Sequence, residues 1–311
     1  MDTATRHLLD YARSQNSTSL IVLQSGSRLV EENWPAPDSP EFVPFVHGET
    51  MEGDLLEDVA SLQKSIVAVL VAIAIEKKLI DVALPVSAYL GGGWSRASSG
   101  QESAIRVVDL LTMTSGLGET LGYEAPPGSR FFYNTPAYAK IASILTAAAG
   151  VPLDQITHDW LTAPLAMNNT SWRERPAALA NVGNARGLVT TAYDLATFGE
   201  MILAGGPGRN GQRVVSSSTL RPVFERSARN PAYGWLWWLN GGEQMIDVRS
   251  NHRLGSLIAA APRDLVGAFG HLDRRVYVVP SRDLVVVRTG AAAADADFDQ
   301  QIWLRLNEVI G

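Results

Sequence analysis

Residues 65–78 constrain the fold more than any other part of the chain. From 66 to 75 every residue is apolar (Ile-Val-Ala-Val-Leu-Val-Ala-Ile-Ala-Ile), and Glu76, Lys77 and Lys78 close the run. It is about half as long as the ~20 residues a bilayer crossing needs. A helix apolar on every side must instead be surrounded by other elements. The chain has enough material for that. Its 311 residues are 46% hydrophobic and 19% charged, which suits one large domain or two interleaved ones.

Composition removes several functional classes. The formal net charge is −6 and no Lys/Arg-rich run occurs, so neither a nucleic-acid nor a membrane partner is expected. Cysteine is absent, which excludes disulfides, thiolate metal sites and cysteine nucleophiles. The five histidines (His7, His47, His158, His252, His271) are scattered without metal-ligand spacing, and neither metal nor cofactor is expected. The glycine pattern at 206–211 follows a helical stretch and reads as a turn, not a dinucleotide loop. No Gly-x-Ser-x-Gly elbow occurs. Residues 1–15 read as a polar amphipathic helix around Leu8, Leu9 and Tyr11, unlike a secretory signal. A cytoplasmic location is the expectation.

The organisation is α+β. Residues 20–23 and 28–30 flank Ser25-Gly26-Ser27 as a hairpin. Helical patterns follow at 107–113, 137–149 and 191–203, between Gly/Pro-rich connections. The last third reads as consecutive strands at 233–239, 257–261, 275–279 and 284–288, then a helix from about 297 to 310. An isolated hairpin is marginal, so strands from both chain ends are expected to share one antiparallel sheet flanked by helices. This assigns 1–80 and 232–311 to a sheet domain, and 81–231 to a mainly helical inserted region.

Ser61-Leu62-Gln63-Lys64 stands immediately before the apolar run. With a helix beginning near Ser61, residues three apart share a face. A buried lysine amine can then accept the serine proton, while helix N–H groups suit an oxyanion. An N-cap serine beside a solvated lysine is the competing reading. The chain has only four lysines, and a charge ahead of its most apolar segment is costly without a task.

Ser61-Leu62-Gln63-Lys64-Ser65 is similar to the nucleophile motif of the serine β-lactamase and penicillin-binding protein superfamily. Co-linear segments agree: 110–117 (Leu-Leu-Thr-Met-Thr-Ser-Gly-Leu), 127–134 (Pro-Gly-Ser-Arg-Phe-Phe-Tyr-Asn), 164–167, 187–196 and 233–238. The likeness spans about 59–290. It is closest to the class C-like branch, with its esterases and 6-aminohexanoate-oligomer hydrolases. It implies Ser61 as nucleophile, with Lys64 and Tyr133 handling protons, Tyr133 as a phenolate where a lysine ammonium favours it. Asn134 stands one place early for the branch's Tyr-x-Asn element and is the candidate for holding Lys64 and the substrate carbonyl. No lysine follows Lys140, so the branch's third motif falls on Gly270-His271-Leu272-Asp273-Arg274. There His271 is the candidate substrate donor, and an N–H near Arg274 would complete the oxyanion hole. Leu272 and Asp273 should narrow or re-charge the site. Trp235 is the candidate wall of the acyl pocket. The implied reaction is hydrolysis of a small-molecule ester or amide through an acyl-enzyme. The alternatives are a β-lactamase or D-Ala-D-Ala-type peptidase, and a catalytically idle scaffold or binding protein.

Overall fold

The computed structural model describes residues 1–180, 184–208 and 211–310. The glycine-rich turn expected at 206–211 thus lies partly outside the described residues. A six-stranded antiparallel sheet forms the centre, in the order β2 (Ser27–Asn33), β1 (Ser17–Gln24), β12 (Leu284–Gly290), β11 (Arg274–Val279), β10 (Val266–Gly270) and β7 (Trp238–Leu239). Strands from the two chain ends meet where β1 pairs with β12.

Alternation along these strands gives the sheet two apolar faces. Leu20, Val22, Tyr277, Val279, Leu284 and Val286 face the terminal helices Thr3–Ser14 and Phe298–Ile310. Ile21, Leu23, Val276, Val278, Val285 and Val287 face the larger core. There the helix Gln63–Glu76 is buried over twelve of its fourteen residues, as its uniform apolarity requires. Among the described residues no helix is long and apolar enough to cross a membrane.

Among its described residues the interval 81–231 carries helices and also two strands. β5 (Ser171–Glu174) and β6 (Arg186–Thr190) join β3 (Val46–Glu49) and β4 (Leu55–Asp58) in a second antiparallel sheet, ordered β3-β4-β6-β5. The helix Ala192–Leu203 packs on β11 and β12 of the central sheet. Two expected strands are corrected. Residues 257–261 form no strand, because Asn240 satisfies their backbone instead: its amide donates to the carbonyls of Ile258, Ala261 and Pro262 and accepts from Ile258 N–H. Of 233–239 only Trp238–Leu239 is strand. Leu236 has φ 58°, and its carbonyl accepts from Ser65 Oγ at 2.7 Å. Ser65 thereby holds this segment against the central helix. A final two-stranded hairpin comprises β8 (Gln244–Ile246) and β9 (His252–Leu254).

Candidate active site

β4 runs directly into the turn that carries Ser61. Ala60–Leu62 is one turn of 3-10 helix, and the α-helix begins only at Gln63. Ser61 is therefore placed just ahead of the helix rather than in it. The i,i+3 relation survives, because side chains three apart eclipse in a 3-10 turn. Lys64 Nζ donates to Ser61 Oγ at 2.8 Å. Ala60 has φ 51°, a conformation that costs a non-glycine residue about 1–3 kcal/mol. It is held from below by Asp58, whose Oδ1 accepts Ala60 N–H at 2.8 Å.

Lys64 is 2% exposed. Its Nζ lies 5.0 Å from the ring centre of Tyr133 and 4.9 Å from that of Tyr138. Burial, aided by the charge of Arg175, pushes the amine down to about 7, so near neutral pH a large fraction is an uncharged base. Tyr133 lines the cleft beside Ser61. Burial holds its hydroxyl at about 12, against the opposing effect of the Ser61 hydroxyl. Tyr133 is thus a phenol and Lys64 the available base, the reverse of the phenolate expected beside a lysine ammonium. Desolvation governs both groups, and it favours the neutral form of each.

The facing wall is the end of β10 and the turn into β11. A Cβ on Gly270 would lie 2.3 Å from the Val59 carbonyl oxygen and 3.3 Å from Leu62 Cβ. Only glycine lets this backbone lie so close to the turn that carries Ser61. The turn itself is gripped through its carbonyls by three buried arginines. Arg275 Nη1 donates to Gly270 O at 3.0 Å, Arg274 Nη1 to His271 O at 2.9 Å, and Arg288 Nη1 to Leu272 O at 2.7 Å.

Ser61 and His271 sit where two lobes of the cleft meet. One lobe, about 320 Å³, reaches Lys64, Thr135, Arg175, Leu179 and Phe45. The other, about 310 Å³, is walled by Tyr133, Trp238, Phe269 and Val248. Trp238 lies nearly parallel to Tyr133, 6.2 Å between ring centres, and to Phe269 at 6.3 Å.

The Beta-lactamase family model matches residues 6–307. This chain belongs to the β-lactamase family. It is 23% identical over 299 residues to an uncharacterized protein of Alkalihalophilus pseudofirmus, covering 88% of this chain and 83% of that one. A Mycobacterium bovis β-lactamase superposes with a TM-score of 0.69 at 18% identity, covering 99% of this chain and all of that one. A D-stereospecific amidohydrolase from a Streptomyces species gives 0.67 at 16% identity, covering 97% and 96%. At such identities the structural likenesses establish the hydrolase fold.

Within this β-lactamase-family cleft, the residues singled out from sequence fare differently. Ser61, Lys64 and Tyr133 converge. His271 lines both lobes, but it is 60% exposed at the side chain and lies 3.3 Å from Glu41. Asn134 is away from the reacting atoms. It caps the helix Thr135–Ala149 through Ala137 N–H and donates to the carbonyls of Leu117 and Gly118, each at 2.9 Å. Its amide is fully engaged, and it fixes the backbone next to Tyr133 without touching Lys64 or the cleft. Trp235 does not line either lobe; Trp238 does. Gly270 and His271, rather than Arg274, border Ser61. Leu272 is buried with Phe42, Phe45 and Ala60, so it does not narrow the cleft. Asp273 does not re-charge it either, being bound to Arg275 and to Ala293 N–H.

The residues that sequence reasoning missed are Asp58, Gln63 and Arg175. Arg175 grips Asp58 with Nε at 2.7 Å and Nη2 at 2.9 Å, and Nη2 also donates to Gln63 Oε1 at 3.0 Å. Gln63 stands inside the motif as one of its unspecified positions, and nothing local marks Arg175 as its partner.

Proposed function

We propose that this protein hydrolyses short ester or amide substrates through an acyl-enzyme on Ser61. One observation carries the reading: Ser61 Oγ accepts from a buried amine with a depressed pKa and shares its lobe of the cleft with a phenol that keeps its proton. Neutral Lys64 takes the Ser61 proton as Oγ attacks the substrate carbonyl carbon. The developing oxyanion is met by backbone N–H groups of the nucleophile turn and the adjoining end of β10. As the tetrahedral intermediate collapses, Tyr133 passes its proton to the leaving oxygen or nitrogen and is reprotonated by the Lys64 ammonium. A water molecule then attacks the acyl carbon, giving a proton to Lys64 by the same route, and the acid leaves with Ser61 restored.

The test is covalent labelling. A fluorophosphonate should add one equivalent to Ser61, read by intact mass and peptide mapping, and Ser61→Ala should remain unlabelled with its fold unchanged. Labelling that persists in Ser61→Ala, or that maps to another serine, overturns the mechanism.

A further inference from the structure

We propose that the Asp58–Arg175 ion pair is a positioning device for the nucleophile, holding Ala60 in its strained conformation and presenting a fixed positive charge to Lys64. The proposal rests on the serine-nucleophile reading and names residues that reading does not use.

The pair is buried yet borders the cleft. The Asp58 side chain is fully enclosed and that of Arg175 is 6% exposed, and Arg175 lines the same lobe as Ser61 and Lys64. Burying two charges is expensive, and replacing such a pair by apolar residues is often neutral or stabilising. Stability alone is therefore a weak reason for it. The surroundings are shaped for it: a Cβ on Gly187 would fall 2.0 Å from Asp58 Oδ2, so β6 leaves room for the carboxylate by having no side chain there.

Each contact of the pair leads to the reacting atoms. Asp58 Oδ1 holds Ala60 N–H, and Ala60 precedes the nucleophile. Arg175 Nη2 holds Gln63 Oε1, which also accepts Leu188 N–H at 3.0 Å. The turn is thus tied on both sides of Ser61 to the second sheet. The groups that face Lys64 are Ser61 from its own turn, Tyr133 and Tyr138 across the amine, Arg175 with Asp58 from the second sheet, and His271 across the cavity. Tyr133 and Tyr138 stay protonated, their pKa values raised by burial. Arg175 is always charged, and its charge disfavours a second cation at Lys64.

The signs give a test that a merely structural role would not pass. The rate of fluorophosphonate labelling at Ser61 is followed from pH 5 to 9 in the full-length protein, with folding checked by near-UV circular dichroism. Asp58→Asn leaves Arg175 uncompensated, so the acid-side midpoint should move down. Arg175→Gln leaves Asp58 uncompensated and should move it up, by about one pH unit, the scale of a nearby charge. The double variant Asp58→Asn/Arg175→Gln buries no charge, remains informative where a single variant misfolds, and should lie above wild type. Arg175→Lys keeps the charge and should stay near the wild-type midpoint with a lower maximal rate, since lysine cannot form the bidentate pair. Slower labelling with an unmoved midpoint in the double variant and in Arg175→Gln overturns the positioning role. Loss of Ser61-specific labelling in the wild type overturns the serine reading itself, and with it this one.

Discussion

The two walls of the cleft bury cations in opposite ways. On the nucleophile side, Lys64 is enclosed beside two tyrosine rings and a serine, and responds by surrendering its proton near pH 7. On the facing side, Arg274, Arg275 and Arg288 are equally buried but stay charged. Arg288 is pushed down only to about 10, chiefly by desolvation. Arg275 is held above its ordinary value, because Asp299 and Asp273 outweigh its burial. Arg274 pairs with Glu57 and stacks on Phe45 and Phe42, 4.6 and 5.5 Å from their ring centres. The contrast teaches where each cation is of use. An ammonium on a flexible stem yields its proton when desolvated and can serve as a base. A guanidinium does not, and its planar fork suits holding carbonyls in place. On the proposed mechanism one wall would move protons, while the other holds a backbone still.

The largest effect should come from removing the base. Lys64→Ala and Tyr133→Phe should each lower kcat on a short alkyl ester or amide, whose leaving group needs a proton, by about 10²–10⁴-fold, with a double variant little worse than the more damaging single one. In the wild type, kcat/KM should rise about tenfold per pH unit up to about 7 and then level, since the uncharged Lys64 is the active form. Full activity in Tyr133→Phe, or a flat profile through pH 7, would break the assignment of proton transfer to this wall.

Arg274→Met sharpens the other half of the comparison. It strands Glu57, which is also bonded to Thr18 and Gly290 N–H, so about 3–5 kcal/mol of stability should be lost, read as a lower midpoint in denaturant. The pH midpoint of activity should stay where it was, because this arginine holds backbone and does not face Lys64. A shifted midpoint would join the two walls electrically and undo the contrast.

The smallest effect concerns substrate choice. Among the described residues, the arginines lining the cleft are already engaged: Arg175 with Asp58, and Arg275 with Asp273 and Asp299. A carboxylate-bearing cephalosporin therefore lacks a charge-assisted partner worth about 1.5–3 kcal/mol, or roughly ten- to a hundred-fold in affinity. Short neutral esters should show the higher kcat/KM. A cephalosporin that outperforms every ester tried would assign an anion-binding role to one of these arginines and favour the β-lactamase alternative.

What the chain's order of residues determined by itself is what short range and burial can dictate. A run apolar on every side had to become the central helix, and a serine three residues before a lysine had to meet it in any helical turn. Unbroken apolar runs at 20–23, 276–279 and 284–287 had to give a sheet with two covered faces. The remainder depended on partners far away in the chain. Val266–Gly270 forms β10 although its two glycines weaken the pattern, because Gly270 is what lets the strand lie against Ser61. Residues 257–261 look like a strand and are not, since one asparagine amide satisfies their backbone. Trp238 rather than Trp235 faces the cleft, and of 233–239 only Trp238–Leu239 joins the sheet. Arg175, which follows β5, meets Asp58 of β4 only because β6 pairs with both strands. Composition and periodicity encode which residues must leave water, but not which buried charge will find which partner. That choice is made when the sheets close, because only then is each charge stripped of water and in need of compensation.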